Sequence, residues 1–207
     1  MQLSSIPDTL LTHIKGILTQ HPDWQSQLAG LYAEGAVMTG DWDTVRSAIQ
    51  SAHAPTPGIT IANLLLALRT RESTNVSAAF RDARNALGAP LTAGGRQSYR
   101  HLYGTITHLH IVHELQMIYS SDISLTLPRP PANSTVATVN RLTDQLAARF
   151  ERTQPSYTAR EPILSMRRTG FAIWCAARPN SLSSSLTGLQ LDSQTVYYYR
   201  DRPGLDG

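Results

Sequence analysis

The chain has 207 residues, 41% of them hydrophobic and 16% charged, and a net charge of +3. That size and balance suit one well-buried domain or a short repeat array, and they exclude a disordered chain. Cys175 is the only cysteine, which excludes an intrachain disulfide framework and any cysteine-based zinc site.

Residues 1 to 7 carry neither a basic n-region nor an apolar h-region, so no secretory signal is expected. The longest apolar runs, such as Ile59 to Leu68, fall far short of a membrane span. A soluble, intracellular protein with no membrane partner is expected.

In chain order, Ser5-Ile6-Pro7-Asp8 reads as an N-cap with proline at the first helical position. The helix it opens carries Leu10, Leu11, Ile14, Ile17 and Leu18, and stops at His21-Pro22. A second helix from about Asp23 carries Trp24, Leu28, Leu31, Tyr32 and Val37, and Gly40-Asp41 breaks it. Asp41 then caps a third, with Trp42, Val45, Ala48 and Ile49, which ends before Pro55 and Pro57. Residues 59 to 71 give a fourth helix. Asn75 to Leu87 give a fifth, stopped by Gly88-Ala89-Pro90. Tyr99 to Tyr119 is the longest. A surface loop is expected over 120–137, where Pro128, Pro130 and Pro131 cluster with Ser, Asn and Thr. Thr138 to Glu151 and Glu161 to Trp174 complete the set, with Pro162 placed at a first helical position. Ile163, Met166, Phe171 and Trp174 recur at helical spacing and predict one apolar face.

Val196 to Tyr199 is the only strand-like run, too short and isolated to make a sheet. The predicted fold class is therefore all-α: an irregular tetratricopeptide/HEAT-like stack of antiparallel helical hairpins. One hairpin has a clear signature in Leu28, Leu31, Tyr32 and Gly35, followed by Gly40-Asp41-Trp42-Asp43. Small residues there allow close helix approach, and Trp42 is expected to fill the wedge between the helices. The predicted organisation is a helical-repeat domain over 1–176 and a divergent, unstructured tail over 177–207.

Candidate chemistry is sparse. His101, His108, His110 and His113 share the longest helix with Glu114. At about 100° per residue, His110 and His113 lie on the stripe of Tyr99, Tyr103, Ile106 and Met117, with His101 and His108 nearly opposite. The four cannot share one ion, and His113-Glu114 lacks the second histidine of a zincin. Packed or hydrogen-bonded histidines are the preferred reading, and no metal or cofactor is assigned. Cys175 reads as a buried, inert thiol at an apolar helix end. Thr92 to Arg96 lacks the lysine and spacing of a phosphate loop, and no serine-hydrolase elbow or kinase catalytic signature occurs. No catalytic residue is assigned. Between Thr138 and Arg178 lie seven arginines against three acids. That excess suits a nucleic acid or an acidic partner, but a solvated helix face with a few ion pairs is the preferred account.

The stretch Thr153-Gln154-Pro155-Ser156-Tyr157, then Arg160-Glu161-Pro162-Ile163-Leu164, then Arg167-Arg168, resembles the FAT region of ATR-type checkpoint kinases. These are phosphatidylinositol-3-kinase-related protein kinases that signal DNA damage. Two earlier stretches resemble the same family in the same order. The first is Pro22-x-Trp24 through Tyr32-Ala33-Glu34-Gly35-Ala36 to Gly40-Asp41-Trp42-Asp43, where the family more often has alanine in place of Gly35. The second runs from Tyr99 to Gln116 with Leu109-His110 and Glu114-Leu115, and Gln116 stands where the family has an acid.

The resemblance implies a non-catalytic helical scaffold, with Trp24, Trp42, Asp43, His110, Glu114, Glu161, Pro162, Arg167 and Arg168 as structural positions. Glu161, Arg167 and Arg168 are expected to make fixed ion pairs between neighbouring helices, the alternative being a solvated helix end. Implied partners are a kinase domain in cis, if the chain is part of a longer one, and a partner subunit. The implied location is the nucleus. After about Thr169 the family pattern is lost, as in a fragment, a truncated product or an imperfect gene model. The family's kinase, nucleotide and metal sites transfer to no residue here. The alternatives are a stand-alone tetratricopeptide-like adaptor with a peptide groove, and a small helical enzyme using the histidines.

Overall fold

A computed structural model describes residues 5–71, 73–93, 99–126 and 132–176. Among them every regular element is a helix: α1 (Ser5–Gln20), a 3-10 turn (Pro22–Trp24), α2 (Gln25–Thr39), α3 (Trp42–Ser51), α4 (Pro57–Thr70), α5 (Ser73–Ala93), α6 (Tyr99–Thr126), α7 (Ala132–Glu151) and α8 (Tyr157–Ala176). No helix among the described residues is long and apolar enough to cross a membrane. The expected unstructured tail, the strand-like run at 196–199 and most of the glycine-rich segment at 92–96 lie outside the described residues.

The helix ends follow from local chemistry. Gly40 ends α2 in the left-handed region at φ 74°, where a side chain would be strained. The Asp41 carboxylate then accepts from Thr44 N at 3.1 Å and from Thr44 Oγ1 at 2.6 Å, which caps α3. Thr56 caps α4 by accepting from Ile59 N at 3.3 Å, with Pro57 at the first helical position. Pro57 thus opens α4, two residues before the predicted start, instead of only closing off α3.

Three expectations change. Helix α5 runs through Gly88 and Pro90 to Ala93. Pro90 leaves the Ala86 carbonyl without its helical donor, but Ala86 is exposed and water can serve it. The expected loop at 120–137 is helical on both sides: α6 extends to Thr126 and α7 begins at Ala132, and only 127–131 lie outside the described residues. No proline or glycine occurs from Thr105 to Leu127, so each added residue extends α6 by one backbone hydrogen bond. Finally, α8 begins at Tyr157, so Pro162 sits inside the helix and not at its start. Ser156 is the actual cap, its Oγ accepting from Ala159 N at 3.3 Å.

The helices form two layers. The inner layer is α2, α4, α6 and α8; α1, α3, α5 and α7 lie outside it. Helix α3 packs on α2 and α4, α5 on α4 and α6, and α7 on α6. Within the inner layer α2 meets α4, α6 meets α8, and α8 also touches α2 and α4. The core joins Ala29, Ala33 and Ala36 of α2 to Leu64 and Leu65 of α4, Val112 and Leu115 of α6, and Ile163 and Met166 of α8. Alanines on α2 allow this close inner packing. Because α8 packs on α2, α4 and α6, the inner faces bury one another, and the open groove that a peptide adaptor needs is filled. A satellite cluster, Ile118, Leu142, Leu146, Phe171 and Trp174, binds α7 to the other side of α6 and α8.

Two glycines mark tight crossings. A Cβ on Gly58 of α4 would lie 2.8 Å from the Gly30 carbonyl of α2, and one on Gly170 of α8 would lie 2.8 Å from Leu115 Cδ2 of α6. The predicted stripe on α6 is displaced: Ile111, Val112, Leu115 and Ile118 are buried, whereas Ile106 is 50% exposed. Neighbours on two sides, α5 and α8, select the buried face of a helix that is apolar on several.

Candidate functional site: a buried polar node between three helices

Glu114 is the one ionised-type side chain buried among the core residues, at 2% exposure. An isolated charge there would be costly, so its partners determine whether the fold holds. Helical spacing supplies the first. His110 lies four residues earlier, and its Nε2 sits 2.8 Å from Glu114 Oε1. Helix α8 supplies the second: Arg167 donates from Nε to Oε2 at 2.9 Å and from Nη2 to Oε1 at 2.8 Å. This two-point fork is the strong form of an arginine–carboxylate pair. Arg167 Nη2 also donates to the Leu146 carbonyl of α7 at 3.2 Å, so one guanidinium ties three helices together.

The histidine tautomer follows from its second neighbour. Arg149 Nη2 of α7 lies 3.3 Å from His110 Nδ1. A guanidinium only donates, so Nδ1 is the acceptor and the ring proton is on Nε2, where it donates to Glu114. Burial pushes the Glu114 pKa up, but hydrogen bonds from His110 and Arg167 and the charge of Arg167 outweigh it, and the net shift is downward. Burial lowers His108. His113 is lowered by burial and then by the positive charges of Arg149 and Arg84.

Beside this pair, the Phe150 ring is flanked by two cations, with the Arg160 guanidinium 4.6 Å and the Arg167 guanidinium 5.5 Å from its centroid. The α7–α8 turn is tied down residue by residue. Thr153 Oγ1 donates back to the Phe150 carbonyl at 2.6 Å. Gln154 N donates to Tyr103 Oη of α6 at 3.0 Å. Arg160 returns from α8 to donate to the Thr153 carbonyl at 3.2 Å and to Thr153 Oγ1 at 3.3 Å. The Thr153-Gln154-x-Ser156 and Arg160 positions therefore define a turn that aims α8 at α6, and Arg167 closes the contact two turns later.

The nine structural positions divide accordingly. His110, Glu114 and Arg167 come together. Glu161 is half-buried and makes no ion pair among the described residues, and Arg168 is exposed. Pro162 lies one turn along α8. Trp24 is 43% exposed and stacks on His21 at 4.7 Å. Trp42 is half-buried beneath the Arg69 guanidinium of α4, 5.0 Å from its centroid, and not merely wedged between α2 and α3. Asp43 pairs with Arg46 at 3.0 Å on open surface, a geometry worth little. Cys175 is half-buried, not fully buried, and burial raises its thiol pKa.

Sequence reasoning did not find Arg149, Phe150 or the Leu146 carbonyl. The signal was present: Leu142, Leu146 and Phe150 recur every fourth residue and are all buried. Gln116, standing where an acid was expected, accepts from Arg84 of α5. No group of three or more His, Cys, Asp or Glu that could hold a metal occurs among the described residues. With both carboxylate oxygens occupied by donors, the node is suited to holding helices in register.

A FAT domain family model matches residues 29–175. The chain is 25% identical over 179 residues to the serine/threonine-protein kinase ATR of Arabidopsis thaliana, covering 79% of this chain and 6% of that protein. It is 24% identical over 169 residues to the serine/threonine-protein kinase ATR of Oryza sativa subsp. indica, covering 77% of this chain and 6% of that protein. It therefore spans only about 6% of the length of these curated relatives. No solved structure matches. The matched range runs from within α2 almost to the end of α8 and contains the whole polar node, and the chain belongs to the FAT domain family.

Proposed function

We propose that this chain is a non-catalytic α-helical scaffold of an ATR-type serine/threonine-protein kinase, acting in the nucleus in DNA-damage signalling. It supports a kinase domain carried by the same longer polypeptide and offers its outer surface to a partner subunit. The observation that carries this reading is the FAT match over residues 29–175. The node supports it mechanically. A scaffold transmits position only if its helices keep register, and the fork from Arg167 to Glu114 fixes α8 against α6 where repacking would otherwise be easy.

The test is to sequence the transcript downstream of the codon for Arg168 and to express the full product. An open frame running on into kinase motifs, with kinase activity that Arg167→Ala reduces at least tenfold while nucleotide binding persists, is the expected result. A frame that stops without kinase motifs overturns the assignment to a kinase.

A further inference from the structure

On α6, His110, His113 and Gln116 are spaced three apart and form one ridge of side chains. Two arginines from different helices close on it. Arg84 of α5 donates to Gln116 Oε1. Arg149 of α7 has its Nη2 3.3 Å from His110 Nδ1. Both acceptors are neutral. Arg149 Nε is buried and has no acceptor among the described residues. The nearby acids are engaged elsewhere or face away. Glu114 holds Arg167 and His110, and Asp82 of α5 pairs with Arg81 at 3.3 Å. Asp144 and Glu151 fall about 140° and 160° around α7 from Arg149. Exposed His113 sits midway between the two arginine contacts. Burial and then the charges of Arg149 and Arg84 hold its pKa down, and Glu114 opposes them only weakly. Two guanidiniums without a carboxylate at one place on the surface favour an anion there. The same ridge side has an apolar part. Ile106, 50% exposed, lies seven residues before His113, two helical turns or about 10 Å along α6.

We propose that this face of α6 docks an acidic amphipathic helix of a partner protein, with a carboxylate set between Arg84 and Arg149 over His113 and an apolar side chain on Ile106. The inference rests on the scaffold reading above and gives its partner surface a place and a chemistry. Charge complementarity requires an anionic occupant, because both guanidiniums donate only to neutral acceptors. The exposed isoleucine two turns away selects a protein segment over a nucleic acid. Nucleic-acid binders engage about 6–10 phosphates, and two arginines beside an apolar side chain do not supply that. A helix matches the spacing, since side chains seven residues apart share one of its faces.

The full chain is titrated at low salt with a synthetic helical peptide bearing a Glu-Glu pair and, seven residues away, a leucine. Binding is read by NMR of the histidine rings. The peptide should bind and should raise the pH at which the His113 ring titrates, because a nearby anion favours the protonated form. Arg84→Glu, at an exposed position, should weaken binding about tenfold or more. Gln116→Glu sets a carboxylate against Arg84 within the chain, and it should weaken binding about fivefold or more, as should Ile106→Asp. No binding, or binding that Arg84→Glu leaves unchanged, would overturn the proposal. Should that variant unfold, an unchanged Gln116→Glu would do the same. Inorganic phosphate that moves His113 as far as the peptide does, with Ile106→Asp silent, would mean an adventitious ion only and would also overturn it. A single-stranded DNA of equal charge that binds more tightly, and that Arg84→Glu releases, would give the face to nucleic acid instead. A downstream frame without kinase motifs would overturn the kinase assignment and leave this binding measurement standing.

Discussion

Arg167→Ala would strand a buried carboxylate. Glu114 would keep its histidine bond but lose both bonds from the guanidinium, and a buried charge that loses its partner costs about 3–5 kcal/mol. Arg167→Lys restores the charge without the fork and should recover only part of that loss. Urea denaturation of the two variants measures both, and equal midpoints for wild type and Arg167→Ala would show that the node is not structural. The same carboxylate predicts a pH dependence. Its folded pKa is depressed below the ordinary glutamate value of 4.5. The unfolded chain therefore binds the proton first, and the stabilisation is fully present above that pH and is lost as pH falls through the folded value. Melting curves from neutral pH downward should show the advantage of wild type over Glu114→Gln holding until about pH 5 and shrinking below it. An advantage independent of pH would contradict the ionised state of Glu114.

At the scale of elements, prolines and glycines can be tested individually. Pro162 lies in the second turn of α8 and cannot donate to the Thr158 carbonyl. Pro162→Ala restores that bond and should stabilise the chain by about 1–3 kcal/mol. At a helix start, where the sequence first places it, the same change would be near neutral. Gly16→Ala in exposed α1 meets nothing within 4 Å and should stabilise by about 0.5–1 kcal/mol. Gly170→Ala is expected to destabilise by about 1–3 kcal/mol, because its Cβ would meet Leu115 Cδ2 at 2.8 Å and Ile118 Cδ1 at 3.3 Å. The sign of the change separates the two glycines in a thermal melt, although their sequence context is alike.

For the whole molecule, burial is uneven. Helix α4 is buried on nearly every side, from Gly58 to Leu68, whereas α1 packs mainly on α2 and the 3-10 turn among the described residues. Native-state hydrogen exchange should therefore find the slowest amides in α4 and the fastest helical amides in α1. Because α8 reaches α2 and α4 as well as α6, Met166→Ala should loosen α2, more than 100 residues away in sequence. Protection of α2 that ignores Met166→Ala would mean that the inner layer is not one cooperative unit. The division proposed at residue 176 belongs to this scale also, and a chain ending at Ala176 is expected to unfold at the same midpoint as the full one.

The amino-acid order alone determined the all-α class, most helix positions and the capping of α3. These depend on periodicity and on residues acting within a few positions, such as Gly40 and Asp41. The family, too, could be read from ordered words in the chain. Where local rules compete they mislead: Pro90 and Pro162 look like boundaries but sit inside helices, because exposed or early carbonyls tolerate a missing donor. Tertiary structure decided the rest. Nothing local in α6 says that Ile111 and Leu115 face inward while Ile106 faces out; helices α5 and α8 impose that choice. Nor does spacing reveal that Glu114 meets Arg167, 53 residues later, or that Arg149 sets the His110 tautomer. Those contacts arise only when the α7–α8 turn brings α8 across the inner layer, where the cost of an unpaired buried charge makes the pairing obligatory.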